Sequence, residues 1–212
     1  MEILHFTFNP FGVNTYIVYD ADTKECAIID PGMISATEIS RMESIIDLYG
    51  LKPVHLINTH LHADHAIGDR FVREKYGLVL EAHRNDAFLG ENLSAQKQMF
   101  GMNDDGTSET IVQYLNEGDV IKIGKGELKV LEVPGHTPGG IALYDATDGF
   151  VVTGDSLFQG SIGRTDLPGG DMSTLLNAIN KKLMTLPDDT IVYSGHGGAT
   201  TIGDERRHNP YL

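Results

Sequence analysis

Between Leu56 and Gly68 the sequence reads LINTHLHADHAIG, which places His60, His62, Asp64 and His65 within one short stretch. Neutral imidazole nitrogens and carboxylate oxygens are the usual ligands of zinc, and they also suit iron and manganese. One histidine beside an apolar run is ordinarily a packing residue. A cluster of this density is not explained by packing. Three more ligand types share the same context. His136 follows LKVLEVPG, Asp155 follows GFVVTG and His196 follows TIVYSG, so each ends an apolar, strand-like run and precedes a loop. These seven residues exceed what one tetrahedral ion takes. They suffice for two divalent ions sharing a carboxylate and a bridging water, a hydrolytic arrangement in which the metals lie about 3.5–4 Å apart.

For seven such groups to meet, the strands carrying them must share a direction and end at one sheet edge, where loops on a rigid scaffold commonly hold catalytic groups. The pattern along the chain supplies the strands. EILHFTF, NTYIVYD and ECAIID are rich in β-branched and aromatic residues, and NPFG and ADTKE separate them as turns. SATEISRMESIIDLYG predicts a helix capped by Ser35, with Glu38 completing a capping box and Gly50 ending it. VHLINTH, AIGDRFVREKYG and LVLEAH predict a strand, a helix and a strand in a parallel unit. From Val120 onward, VIKI, ELKVLEV, IALYD and FVVTG read as strands. DMSTLLNAINKKLMTL reads as a helix capped by Asp171 or Ser173, TIVYSGH as a strand and IGDERRHN as a short final helix. Two packed sheets covered by helices satisfy this order, an α+β architecture in a single domain over residues 1–212. Residues 84–110 carry no clear period. They read as a surface helix and loop, with a lid over a pocket, formed by 93–108, as the functional alternative.

The 212 residues carry a net charge of −14, which disfavours nucleic acid as a partner and requires a local basic spot for an anionic small molecule. The lone Cys26 excludes an internal disulfide and a cysteine-only metal site, and reads as a small buried hydrophobe. The N-terminal MEILHFTFNPFG lacks the features of a signal peptide, and no apolar run is long enough for a membrane span, so a cytoplasmic protein is expected. His5, His55 and His208 read as surface or packing residues. His83 and Asp30 are candidates to support a ligand histidine from behind. Tyr144 and Phe158 read as core packing, with lining of the pocket as the functional alternative.

On these motifs the sequence resembles the metallo-β-lactamase-fold hydrolases. THLHADH, PGHTPGG, TGD and SGH match the four metal motifs of that family in order, and IDPG matches its early strand turn. The resemblance spans the whole chain and implies a four-layer αβ/βα sandwich. It implies that His60, His62 and His136 bind a first metal, that Asp64, His65 and His196 bind a second, and that Asp155 bridges them. His62 stands where flavodiiron members carry glutamate, which argues against oxygen reduction of that kind. Within the family the chain is most similar to the glyoxalase II group, the hydroxyacylglutathione hydrolases, in the short bacterial type that lacks a C-terminal helical domain.

That resemblance implies a small-molecule thioester substrate, S-2-hydroxyacylglutathione or a relative, with Asp64 and Asp155 as catalytic residues that hold and orient the attacking hydroxide. In GDSLFQGSIGRTD, Arg164 and Asp166 stand where full-length members carry a lysine and a tyrosine that help hold glutathione. Arginine keeps the ability to bind a carboxylate; aspartate cannot replace a hydroxyl donor. Arg164 is therefore the candidate for a substrate carboxylate, against a surface ion pair with Asp166. The runner-up is a persulfide dioxygenase of the same fold, with one iron on His60, His136 and Asp155; GRTD resembles that group as well. A purely structural metal module would be closed by four ligands, whereas this chain offers seven beside the glycine-rich PGHTPGG and GHGGA.

Overall fold

The computed structural model describes residues 1–102, 106 and 108–212. The chain opens with an antiparallel meander of β1 (Glu2–Phe8), β2 (Val13–Tyr19) and β3 (Glu25–Ile29). It crosses over through α1 (Ala36–Tyr49) and returns as β4 (Lys52–Ile57), parallel to β3. The expected capping box holds α1 at its start. Glu38 N–H donates to Ser35 Oγ at 3.3 Å, and Ser35 N–H donates to Glu38 Oε2 at 2.9 Å. Gly50 ends the helix in the left-handed conformation.

The single helix expected over 66–77 is instead two pieces, α2 (Ala63–Ala66) and α3 (Asp69–Tyr76). The break falls at Gly68, whose N–H leaves the helical ladder to donate to the Pro31 carbonyl at 2.8 Å. β5 (Leu80–Ala82) follows, parallel to β4. Two short helices, α4 (Ala87–Glu91) and α5 (Leu93–Met99), lead to β6 (Gln113–Tyr114), which completes the first sheet parallel to β5.

The second sheet runs antiparallel through β7 (Val120–Ile123), β8 (Gly126–Glu132), β9 (Ile141–Asp145) and β10 (Phe150–Gly154). A small hairpin of β11 (Leu157–Phe158) and β12 (Ser161–Ile162) projects from its end. The helix expected over 171–186 keeps its Asp171 cap. It forms α6 (Met172–Ala178) and then widens into a π turn over Ile179–Leu183. β13 (Ile191–Ser194) lies parallel to β10, and β14 (Thr200–Thr201) and α7 (Ile202–His208) finish the chain.

Each sheet has six strands, in the orders β1-β2-β3-β4-β5-β6 and β14-β13-β10-β9-β8-β7. Strand alternation builds three apolar layers. Tyr16, Val18, Ala27, Ile29, Val130, Leu143 and Val152 meet between the sheets. Ile17, Cys26 and Ile28 face outward to Met42 and Ile46 of α1. Leu131, Val151 and Val192 face Leu175, Ile179 and Ile202 on the far side. The result is helices, sheet, sheet, helices, the four-layer sandwich that the motifs implied. Among the described residues no helix is long and apolar enough to cross a membrane.

β8 and β10 both run antiparallel to β9, and β13 is parallel to β10, so all three point the same way. His136, Asp155 and His196 follow their C-terminal ends. The loop after β4 meets them from the other sheet: Thr59 accepts from the Ile141 amide at 2.9 Å, and the Asn14 amide donates to the Gly195 carbonyl at 2.7 Å. The common edge that the sequence required is present.

Candidate metal centre

At this edge the seven candidate ligands come together. Ligand atoms of His60, His62 and His136 lie within 4.8 Å of one another, as do those of Asp64, His65 and His196. Asp155 stands between the two groups. Its Oδ2 is 3.6 Å from His136 Nε2 and 3.5 Å from His196 Nε2, and its Oδ1 is 3.3 Å from His65 Nε2. Asp64 Oδ2 is 3.2 Å from His196 Nε2, and His62 Nδ1 is 2.9 Å from His136 Nε2. A side chain at Gly195 would place its Cβ 2.1 Å from Asp155 Oδ1, so this position must be glycine for the carboxylate to sit where it does.

The outer ring nitrogens fix the orientation of these histidines. His136 Nδ1 donates to the Arg164 carbonyl at 2.7 Å, and His196 Nδ1 to the Phe11 carbonyl at 3.1 Å. His65 Nδ1 lies 3.0 Å from Asp30 Oδ2. Thr59 Oγ1 donates to that same carboxylate at 2.6 Å, so its lone pair accepts from His60 Nδ1 at 3.1 Å. These bonds place the Nδ1 proton on the outer side of the rings, so that in the neutral form Nε2 of His60, His65, His136 and His196 is a lone pair aimed inward. Asp30 thus supports two histidines at once. It is fully buried and strained, at φ 51, and is held there by the Thr59 amide on Oδ1 at 2.7 Å and by the Thr15 hydroxyl on its carbonyl.

The electrostatics divide the cluster. Burial, reinforced by neighbouring rings, pushes His60 well below the ordinary histidine value and lowers His62 to about 3. Burial opposes ionisation of Asp64, yet His65 and His196 outweigh it and hold that carboxyl below the usual range. Burial likewise disfavours charge on His65, but Asp155, Asp64 and Asp30 together raise it well above its ordinary value. The donor set fits a divalent cation. His60 Nε2, His62 Nε2 and Asp155 Oδ1 are buried and make no hydrogen bond, a state that calls for a further partner. Two groups of ligands joined by one carboxylate would accommodate two ions.

The cluster floors a cavity of about 280 Å³ whose other walls are Phe11, Phe100, Met102, Arg164 and Leu167. Phe11 and Phe100 meet edge to face at 6.0 Å. Residues 103–105 and 107 of the segment read as a lid alternative lie outside the described residues. Its described part supplies Phe100 and Met102 to the cavity wall. A second depression, bounded by Phe158, Gln159, Ser161 and Gly198, opens on the other side of Asp155 and His196. Phe158, expected in the core, therefore stands at the rim, 6.3 Å from the His196 ring. Tyr144 packs with the outer helical layer as expected. Arg164 borders both openings, and its guanidinium is forked onto Asp166 at 2.7 and 2.8 Å. His83 does not reach the cluster: its Nε2 is 3.2 Å from Glu132.

Two supporting residues have no signature in the sequence. Gln96 of α5 accepts from the Ala63 amide at 3.2 Å and donates to the Leu61 carbonyl at 3.2 Å, which holds the loop carrying His60 and His62. Asp86, three residues beyond His83, accepts from the Leu61 amide and from the loop after His136. Both are polar residues in an aperiodic stretch, and only the fold brings them to the ligand loops.

A four-layer sandwich with this ligand set at one sheet edge defines a metallohydrolase class. The model of the metallo-β-lactamase superfamily matches residues 8–196, and the chain belongs to that superfamily. It is 40% identical to hydroxyacylglutathione hydrolase GloC of Haemophilus influenzae, over 100% of this chain and 97% of that protein. Among solved structures it is similar to the BLEG-1 B3 metallo-β-lactamase, with TM-score 0.90, 34% identity and coverage of 100% and 99% of the two chains. The di-iron-bound form of TTHA1623 gives 0.87 at 33% identity, over 99% and 100%. ETHE1 from Myxococcus xanthus gives 0.80 at 28% identity, over 99% and 84%.

Proposed function

We propose that the chain is a dinuclear metal-dependent thioester hydrolase, acting on S-2-hydroxyacylglutathione or a related thioester. The carrying observation is the pair of three-residue groups joined through Asp155 at the floor of an open cavity. Similarity to GloC supports the thioester class. His60, His62 and His136 would hold one ion, Asp64, His65 and His196 the other, and Asp155 both. Zinc suits this donor set, with iron and manganese also compatible. Bound there, a pair of divalent ions would supply hydroxide near neutral pH and polarise a carbonyl.

The chain's own residues do the rest. Asp64 and Asp155 orient the attacking oxygen and accept its hydrogen bonds. Attack at the thioester carbon breaks the C–S bond; the sulfur departs as thiolate, and the proton of the attacking hydroxide passes to it or to solvent, leaving a carboxylate. A thiol pKa of roughly 8.5 lets the sulfur leave without a strong general acid, and no other titratable group is needed near the scissile bond. Among the described residues Arg164 is the one arginine or lysine on the cavity wall, and it would take a substrate carboxylate by exchanging its Asp166 partner.

The second reading is a mononuclear iron persulfide dioxygenase using His60, His136 and Asp155, to which the ETHE1 similarity gives weight. The intact second group of Asp64, His65 and His196 favours the dinuclear hydrolase. One experiment separates them: metal content per chain measured on protein purified without added metal, with the same sample assayed on S-D-lactoylglutathione. Close to two metals with thiol release supports the hydrolase. One iron, no thiol release and oxygen consumption with glutathione persulfide overturns it.

A further inference from the structure

The geometry points to Asp86 as the positioning residue of the three-histidine half of the centre, an inference that rests on the reading of the cluster as a metal site. Asp86 lies at the end of a single 3₁₀ turn, Arg84–Asp86, after β5, and it is fully buried. Its carboxylate accepts three hydrogen bonds from two different loops. Oδ2 takes the Leu61 amide at 3.2 Å and the Thr137 hydroxyl at 2.8 Å, and Oδ1 takes the Gly139 amide at 2.6 Å.

Those partners are not scattered. Leu61 sits between His60 and His62, and Thr137 is the neighbour of His136. One carboxylate therefore ties together the two loops, one from each sheet, that carry the three histidines. Gly139 is shaped for the contact: a Cβ there would stand 2.6 Å from Asp86 Oδ1 and 2.8 Å from the Asp86 amide nitrogen. Asp30 plays the corresponding part behind His65 and, through Thr59, behind His60. Among the described residues no hydrogen bond of Asp86 reaches α2, which carries Asp64 and His65 beyond Leu61, or the loop of His196. Loss of the Asp86 carboxylate should thus loosen one half-site and spare the other.

The test is zinc titration by calorimetry on the metal-stripped full chain, as wild type, Asp86→Asn and Thr137→Val, with thermal unfolding of each stripped protein. Wild type should take up zinc in two events. His136→Ala should remove one of them and His196→Ala the other, which assigns them. Asp86→Asn is expected to weaken the His136-dependent event by about 10–100-fold, the usual cost of losing a hydrogen-bonding partner behind metal ligands, and to leave the His196-dependent event in place. Thr137→Val removes one of the three bonds and keeps side-chain volume, so it should weaken the same event by less; it carries the test if Asp86→Asn does not fold. Unchanged zinc affinity in a folded variant, with only a lower unfolding temperature, would overturn the inference alone. A wild type that binds no zinc would overturn the metal reading and this inference with it.

Discussion

Two histidine–carboxylate pairs in this molecule look alike at first contact and differ in what lies behind them. His65 Nδ1 is 3.0 Å from Asp30, and His55 Nδ1 is 2.6 Å from Glu81. Both carboxylates are buried, and both histidines gain a partner that raises their affinity for a proton. The second ring nitrogen separates them. His55 Nε2 donates to the Lys122 carbonyl at 3.0 Å, so that ring is closed and clips β4 of the first sheet to β7 of the second. His65 Nε2 faces Asp155, Asp64 and His196 at 3.3–3.7 Å, a set of groups that would all serve one cation. A paired histidine is structural when both nitrogens are spent on fixed protein groups. It is available for chemistry when the pair only orients it.

If that distinction holds, the two histidines should respond oppositely to substitution. His65→Ala is expected to remove one metal per chain and to cost activity by about a hundredfold or more, beyond what loss of an outer partner costs; elemental analysis and thiol release read both. Full metal content in a folded His65→Ala protein would break the comparison. Asp30→Asn keeps the shape but weakens the orienting bond, and should cost about 10–100-fold in metal affinity or activity, measurable by chelator competition. A third pair sharpens the contrast from the surface. Arg164 and Asp166 are exposed, so solvent screening leaves their ion pair little weight in folding. Arg164→Met should leave the unfolding temperature nearly unchanged and raise KM for a carboxylate-bearing thioester by roughly tenfold, one lost charge-assisted contact, with kcat little affected. Equal KM for wild type and variant would remove Arg164 from substrate binding.

The sequence made His65 conspicuous and His55 inconspicuous, for physical reasons. The candidate ligands collect at strand ends because that is where a rigid scaffold meets solvent, so His60, His62, Asp64, His65, His136, Asp155 and His196 could be found by pairing residue type with the end of an apolar run. The helix α1 was legible because its capping box and its periodicity agree. The break at Gly68 was not, because it depends on Pro31 in another loop. The two-residue strands β6, β11, β12 and β14 are too short to show a period. Asp86 and Gln96 escaped for a related reason. Each acts on loops distant in sequence from the irregular stretch that carries it, and a polar residue there has no local mark. His83, the conspicuous residue just before that stretch, pairs with Glu132 instead.

The remaining test is the quiet member of the comparison. His55→Gln should leave metal content and turnover unchanged, since the ring is a β4–β7 clip remote from the ligand set. Its effect belongs to stability, on the order of 1 kcal/mol for a hydrogen bond to a charged partner, and the sign with pH is fixed by the direction of the shift. Hydrogen bonding to Glu81 raises His55 above its ordinary value, with burial opposing and the Glu81 charge adding to the rise. A group with a raised folded-state value stabilises the native state fully below the ordinary histidine value of about 6.5. That contribution declines as pH climbs through the raised value, because the folded protein then gives up the proton it had held more tightly. Chemical denaturation of wild type and His55→Gln across this range should therefore give curves that differ most at the acidic end and converge toward alkaline pH. A gap that widened with pH would mean that neutral His55, held through Lys122, is the stabilising form, and the charged pair would no longer explain why His55 meets Glu81 within the first sheet.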